Sequence, residues 1–456
     1  MIGRELRSHV LTYRFFLGFV LLFVLIVSSA VVLGLNYDSR LDAYFESQIA
    51  RGEQLKEATD FRRFQWRGAQ HEKPPNALSV FTVGFERELS RTVTISQWSE
   101  PTFGRSKYAN PLYTLFPAPD LLYIVNIVGS LLAVLFAFNT VSGEQEDGTL
   151  RLVMANSVPR HLVLLAKWAG GYIALIVPFL VSVLVGLALA SVFTSFRLSG
   201  AEWTAFLAIL GVSALYLSCF YTLALAISVA THRSATSLVL SFLAWVVLVL
   251  AIPNIAPIVA RSLVPVPSPG AIAGQQEALV RGIWAEIRPK MRQAERSQRG
   301  TLRDEARHRI ADETKRLMKN YLQKVDSQID AGVALARLSP SASYVYATAS
   351  LAGSGLEDFA GLRTYIDRYR VDYMQALRDI GEERNRQLEG VSDSDERDEI
   401  RNAPIDPDDL PVFVPDRRPM TEILVSADMD LLLLTVLNAV FFLASYVGFL
   451  RYDLMR

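Results

Sequence analysis

Residues 121–152 read LLYIVNIVGSLLAVLFAFNTVSGEQEDGTLRL, and this stretch decides the fold. Leu121–Val141 is uncharged from end to end. A helix rising about 1.5 Å per residue needs about 20 apolar residues to cross a hydrocarbon core of ~30 Å, so the run is long enough to span a bilayer. It ends at a sudden acidic cluster, Glu144, Glu146 and Asp147, which places three carboxylates at a membrane boundary. A Gly148-Thr149 break follows, then a short apolar helix with Leu150, Leu152 and Val153. Ser157-Val158-Pro159-Arg160 leads from there into the next apolar run. An acidic start and an apolar face, held close to the membrane, suit docking into a groove on a partner. An ordinary interfacial helix with solvated acids fits the same residues.

Five further runs meet the length requirement: Phe15–Leu35, Leu162–Phe193, about Trp203–Ala230, about Ala235–Ala260 and Leu431–Leu450. Of 456 residues, 51% are hydrophobic and 20% charged, against about 25% charged in soluble chains. The deficit is local to these runs, so the expected class is an all-α polytopic membrane protein with six spans. Phe15–Leu35 follows Arg4, Arg7 and His9 much as a signal peptide would. Its core exceeds the roughly 7–15 residues of a signal h-region and lacks a small-x-small cleavage site, so it reads as an uncleaved span. Positive residues of the short ends and loops all fall on one side of a six-span chain: Arg4, Arg7 and Arg14; Arg151, Arg160 and Lys167; His232 and Arg233; Arg451 and Arg456. Such charge marks the cytoplasm. Both termini, the interfacial helix at 1–14 and the segment 142–161 are then inside, with 36–120 and 261–428 outside.

The first outside segment begins with a helix-like stretch around Leu41–Arg63. It continues through Pro74-Pro75-Asn76-Ala77-Leu78-Ser79, where paired prolines forbid helix, and Leu89 to Trp98 suits a short strand. The second segment has helical spacing from Ile272 to Ile329, with Leu279, Ile283, Trp284, Ile287 and Met291 on one stripe. Residues 270–325 are net basic and 379–428 net acidic, as two solvated faces or as stretches packed together in a projecting bundle. Ala334–Gly355, poor in charge and too interrupted for a span, fits either the outer membrane surface or the core of the outside domain. Gly390–Pro419 reads as an extended return, and its aspartates lack the regular spacing of a calcium loop. Cys219, the one cysteine, cannot form an internal disulfide, and no Cys/His spacing suggests zinc. A net charge of zero gives no sign of nucleic-acid binding.

The string Ser142-Gly143-Glu144-Gln145-Glu146-Asp147-Gly148-Thr149-Leu150, with Pro159-Arg160 and Lys167 at matching offsets, resembles the coupling segment of ABC-2 type permeases. In that family a similar string follows the second span, and a short coupling helix touches the nucleotide-binding subunit. Pro-Pro-Asn-x-Leu-Ser at 74–79, Leu338-Ser339-Pro340 and Leu351-Ala352-Gly353 resemble a bacterial subgroup with enlarged extracytoplasmic segments. The resemblance covers the six-span plan. It implies that Glu144, Gln145, Glu146, Asp147, Gly148, Thr149 and Arg151 serve ATPase coupling. Arg4, Glu5 and Arg7 either join that contact or anchor the N-terminal helix by the positive-inside rule.

No Gly-x-x-x-x-Gly-Lys-Ser/Thr phosphate loop is present, so ATP and Mg are expected in a separate cytoplasmic ABC ATPase. The chain itself is expected to hold no cofactor, metal or catalytic residue and not to be an enzyme alone. His71-Glu72 runs straight into Lys73-Pro74-Pro75, where proline would break a zinc-binding helix. Lys167, near the cytoplasmic end of its span, can snorkel as an anchor or belong to a transport path. Asn126, Asn139, Asn254 and Asn438 are the polar candidates inside the spans. Pro253 and Pro257 around Asn254 predict a kinked or unwound outer end of the fifth span, either as a gate or substrate path or as an ordinary proline kink.

These features point to the permease subunit of an ATP-driven transporter of the bacterial inner membrane, exporting or extracting a hydrophobic or amphipathic substrate. Its expected partners are the ATPase, a second permease (the same chain or a related one) met through the second and fifth spans, membrane lipid and an envelope protein. Nucleic acid is not among them. A different class of reading is mechanotransmission, in which the outside domain relays ATP hydrolysis to an envelope partner without transport. A scaffold or sensor lacking any ATPase is the third.

Overall fold

Long apolar runs satisfy their backbone groups in lipid only by closing hydrogen bonds within themselves, as helices do. The computed structural model describes residues 2–56, 69–84, 92–95, 101–104, 119–154, 159–295, 298–401, 403–415 and 417–451. Six helices are long and apolar enough to cross a membrane: Tyr13–Glu53, Leu121–Glu146, Arg160–Phe193, Gly200–Ala230, Ser234–Leu263 and Met420–Leu450. These are spans one to six, and they fall on the six runs read from the sequence. The first helix is longer than its span, running unbroken over 44 residues from Tyr13 to Lys56, or ~66 Å. The helix-like stretch expected from Leu41 is its continuation, because Asn36–Arg40 contains no Pro or Gly to stop it. Residues 57–63 of that expectation lie outside the described residues.

The chain divides into two compact units, residues 1–245 with 343–456, and residues 246–342. In the first unit, span one packs along span three and span four along span six. Polar groups join these helices at few points. Asn438 Nδ2 donates to Ser218 Oγ at 2.9 Å, and Thr222 Oγ1 donates to Asn438 Oδ1 at 3.1 Å. Tyr216 Oη donates to Asn126 Oδ1 at 2.8 Å. Trp245 Nε1 donates to Ser130 Oγ at 2.8 Å. Asn126 and Asn438 therefore hold helices together. Span two is largely enclosed, with a π-helical turn at Ile124–Gly129. Spans five and six are the least buried, with Val239, Phe242 and Leu243 exposed on one and Val436, Val440 and Leu443 on the other.

The charge-poor stretch forms a helix at Pro340–Leu351. Tyr344 stacks on Tyr216 of span four, with ring centroids 4.3 Å apart, and shares a 3.1 Å hydrogen bond with Ser213. Its Ala and Ser side chains are small enough for close approach, so this helix is core rather than surface. Pro74–Ser79 forms a short turn, with a 3-10 helix over Ala77–Val80. Asn76 accepts from Leu78 N at 3.1 Å and donates to the Ala352 carbonyl at 2.5 Å, so two of the strings quoted above meet.

A small antiparallel sheet in order β1-β2-β3 completes this unit, from Ala69–Glu72, Thr92–Ile95 and Thr102–Gly104. The strand expected between Leu89 and Trp98 is β2, and the rest of that range lies outside the described residues. Val93 and Ile95 pack on Ile366, Tyr369, Tyr373 and Leu377 of the helix Leu356–Leu388. The return segment runs antiparallel along that helix. Arg384 donates to Ala403, Tyr369 to Pro411, and Val414 N to Tyr365, before Arg418 pairs with Asp358 at 2.8 Å.

The second unit holds the C-terminal half of span five and a hairpin of two helices, Pro269–Gln293 and Gln298–Ala336. Ile283, Ile287 and Ala306 form the hairpin core with Leu279, Trp284, Met291, Leu302 and Ile310, the stripe read from the sequence. The net-basic stretch is thus packed on its own hairpin, as the net-acidic one is on its own helix. Of the kink or unwinding expected at Pro253–Pro257, the unwinding does not occur, and Ile252–Leu263 stays helical. Val246–Ala251 widens into a π-helical turn, and Pro253 then starts a fresh α-helical segment where its missing N–H is harmless. Side chains take up nearby carbonyls: Asn254 Nδ2 donates to Leu250 O at 2.7 Å, and Ser339 Oγ to Leu248 O.

Candidate coupling site

Span two turns at Phe138–Val141 into a short helix, Ser142–Glu146. That helix stops because Gly148 takes φ +71°, a left-handed conformation that glycine adopts at little cost. A second short helix, Thr149–Met154, follows. Residues 155–158 of the expected segment lie outside the described residues. Leu150 is buried in a cluster with Val141, Val163, Leu164, Leu225, Val229 and Phe449, which draws on spans two, three, four and six.

The acidic string is fastened on one side to several spans. Ser228 Oγ, on span four, accepts from Val141 N and Ser142 N at 3.1 Å each. Glu146 Oε2 accepts from Ser234 N at 2.9 Å, at the first residue of span five. Lys167 on span three is 1% exposed, and its Nζ lies 2.6 Å from Glu144 Oε1 and 3.4 Å from Glu5 Oε1. The snorkelling expected of Lys167 is not seen. A buried cation needs opposite charge beside it, and here two carboxylates come to it instead of its stem reaching to water.

Glu5 belongs to the N-terminal helix Ile2–Val10, which lies against span three. Gly170 makes that approach possible, since a Cβ there would sit 2.7 Å from the Glu5 Cβ. His9 on the same helix is half-buried, and the desolvation pushes its pKa below the ordinary imidazole value. Glu5 opposes that shift, while Lys167 and Arg14 add to it. A cavity of about 180 Å³ lies here, lined by Glu5, His9, Arg14, Asn139, Glu144 and Lys167 among others.

The other side of the string faces outward. Asp147, Gly148, Thr149 and Arg151 are exposed, and Leu152 is 71% exposed. Of the residues read from the sequence, Glu144 and Glu146 are the anchored ones, and Gln145 is half-buried. Arg4 and Arg7 are exposed on the N-terminal helix, apart from the Lys167 cluster. Pro253, Asn254 and Pro257 lie in the other unit and are not part of this site. Sequence reasoning missed Ser228, Ser234 and the inward role of Glu5 and Lys167. The signal available was a lysine with no charged neighbour in its own apolar run.

No curated protein matches the chain. Residues 2–454 match the family model of the ABC-2 family transporter proteins. The match takes in all six spans, the acidic string and the two long segments between spans, and ABC-2 permeases generally work with an ATPase subunit. The chain belongs to the ABC-2 transporter family.

Proposed function

We propose that this chain is the permease subunit of an ATP-driven transporter in a bacterial inner membrane, and that residues 142–154 couple it to a separate cytoplasmic ATPase carrying ATP and Mg. The observation that carries the reading is the two-sided construction of the acidic string. Its inner side is fixed to spans three, four and five through Lys167, Ser228 and Ser234, while Asp147, Thr149, Arg151 and Leu152 are exposed. Closure of an ATPase pair against the exposed side would be passed to three spans at once. Exposed faces of spans five and six suit lipid or a second permease. The apolar character of the spans favours a hydrophobic or amphipathic substrate, and the π-helical turn before Pro253 is the candidate gate.

The test is reconstitution with the ATPase in vesicles. Substrate-stimulated, vanadate-sensitive hydrolysis with transport is expected, and Glu144→Ala with Asp147→Ala should abolish stimulation. Intact stimulation in that double variant would remove the coupling assignment.

A second reading, mechanotransmission to an envelope protein, is favoured by the helix Leu356–Leu388, whose 33 residues reach ~50 Å. Hydrolysis that depends on this helix while no vesicle transport occurs would select it.

A further inference from the structure

Span four begins after Ser199, the helix Leu356–Leu388 after Gly355, and span six after Pro419. A helix start leaves N–H groups without partners inside the helix, and an acid in the first turn can accept from the residue before it. Glu202 Oε2 accepts from Ser199 N at 2.7 Å, and Asp358 Oδ2 accepts from Gly355 N at 2.9 Å. Each acid thus spends one carboxylate oxygen on the start of its own helix.

The other oxygen of each acid goes to one of two consecutive arginines. Arg417 Nη1 lies 3.8 Å from Glu202 Oε1, and Arg418 Nε lies 2.8 Å from Asp358 Oδ1. Arg418 Nη1 also reaches Glu357 Oε2 at 2.8 Å. Arg417 Nη2 donates to the carbonyl of Leu351, the last residue of the helix Pro340–Leu351, at 3.2 Å. The residue that follows the pair, Pro419, is the N-cap of span six. Two adjacent side chains therefore join the starts of spans four and six to the start of Leu356–Leu388. Capping alone would need neither arginine. Their side chains are 29% and 20% exposed, and ion pairs that keep contact with water add little stability. A guanidinium fork held by two carboxylates does fix direction. Such an arrangement suits positioning better than support.

We infer that Arg417 and Arg418 are positioning residues that hold Leu356–Leu388 in register with spans four and six, so that this helix follows the two spans when they shift. Spans four and six pack along each other, and a displacement of that pair reaches the helix through the two arginines. The inference deepens the mechanotransmission reading by naming the residues through which movement would pass. Its test needs neither an ATPase nor transport, so that reading and the arginine joint can fail separately.

The test is the distribution of distances between spin labels at Ala201→Cys and Asp372→Cys, two exposed positions, in the full chain in detergent micelles with Cys219→Ala. With the joint intact, one narrow distribution is expected. Arg417→Gln with Arg418→Gln should widen it roughly twofold while the unfolding midpoint barely moves. Arg417→Lys with Arg418→Lys should narrow it again in part, since the charge is kept and the fork is lost. Glu202→Gln with Asp358→Asn separates the joint from the caps. An amide oxygen still accepts from the helix start, but the amide NH₂ then faces the arginine. That pair should widen the distribution as the arginine variant does, whereas a role in capping alone predicts no change. A distribution as narrow in the Arg417→Gln, Arg418→Gln variant as in the unaltered joint overturns the inference. Widening that tracks a fall in the unfolding midpoint also overturns it, because the pair is then a clamp for stability. Should the double arginine variant fail to fold, Glu202→Gln with Asp358→Asn decides, since both caps remain.

Discussion

Two buried polar sites in this protein solve the same problem in opposite ways. At the first, Lys167 is buried beside two carboxylates brought to it from other helices. Beside the sheet of the same unit, His71 is equally buried but enclosed by Tyr369, Tyr373 and Phe413, with ring centroids 5.0 to 5.4 Å away. Burial holds its pKa down to about 3, Arg51 adding to the effect, so the ring stays neutral. The first site gains attraction between parts that can be pulled as one. The second gains close packing between a strand and a helix. On the proposed function, the first site would transmit and the second would support, and each treats its buried polar group accordingly.

That comparison breaks most easily on the aromatic side. Phe413 is 2% exposed in the cluster against β2 and the helix Leu356–Leu388. Phe413→Ala should cost about 3–5 kcal/mol, seen as a lower unfolding midpoint of the part around the sheet. ATPase docking at the other end should be unaffected. If docking is lost in step with stability, the two sites are one cooperative structure and the distinction fails.

Lys167→Met comes next. Removing one partner of a buried pair costs about 3–5 kcal/mol, and the lower end applies here because both carboxylates retain some exposure to water. Adding Glu5→Gln and Glu144→Gln should recover much of that loss in unfolding experiments, since replacing a whole buried ion pair is close to neutral. Stability would return while stimulation of the ATPase would not.

The spans, the acidic string and the hairpin stripe were all legible in the sequence because each is a local pattern of charge and hydropathy. Lys167 was legible as an oddity but not in its role, since its partners Glu5 and Glu144 lie on other helices and only packing joins them. The helix Pro340–Leu351 lacks enough apolar length to announce itself as core, and its burial rests on Tyr344 meeting Tyr216 across a long stretch of chain. The proline pair in span five left kinking and unwinding open for a physical reason. A helix can absorb a missing N–H by widening for one turn, and nothing in the residue order distinguishes that from unwinding.

Acid should separate the two sites. His71 has a folded pKa below its unfolded value of 6.5, so its neutral form contributes stability above that value, and this is lost as pH falls toward about 3. The loss between pH 7.5 and 5 should be on the order of 2 kcal/mol, from ~1.4 kcal/mol per unit. His71→Phe should flatten the unfolding midpoint across that window. A wild-type slope that survives the substitution would place the acid sensitivity elsewhere.

The smallest effect on stability sharpens the contrast most. Gly148 is left-handed, and a Cβ added there meets nothing within 4 Å. Gly148→Ala therefore adds backbone strain alone, about 1 kcal/mol, with no clash. A support would register that as a small drop in melting temperature and nothing else. A coupling element should register it as misdirection of the exposed helix that follows, because the strain is relieved by re-aiming Thr149–Met154. Stimulated ATPase activity should fall several-fold while the midpoint barely moves. Gly148→Asn, which tolerates the left-handed conformation better, should retain most of the stimulation. If alanine and asparagine behave alike, the direction of that helix does not matter to the ATPase, and residues 149–154 act only as a tether.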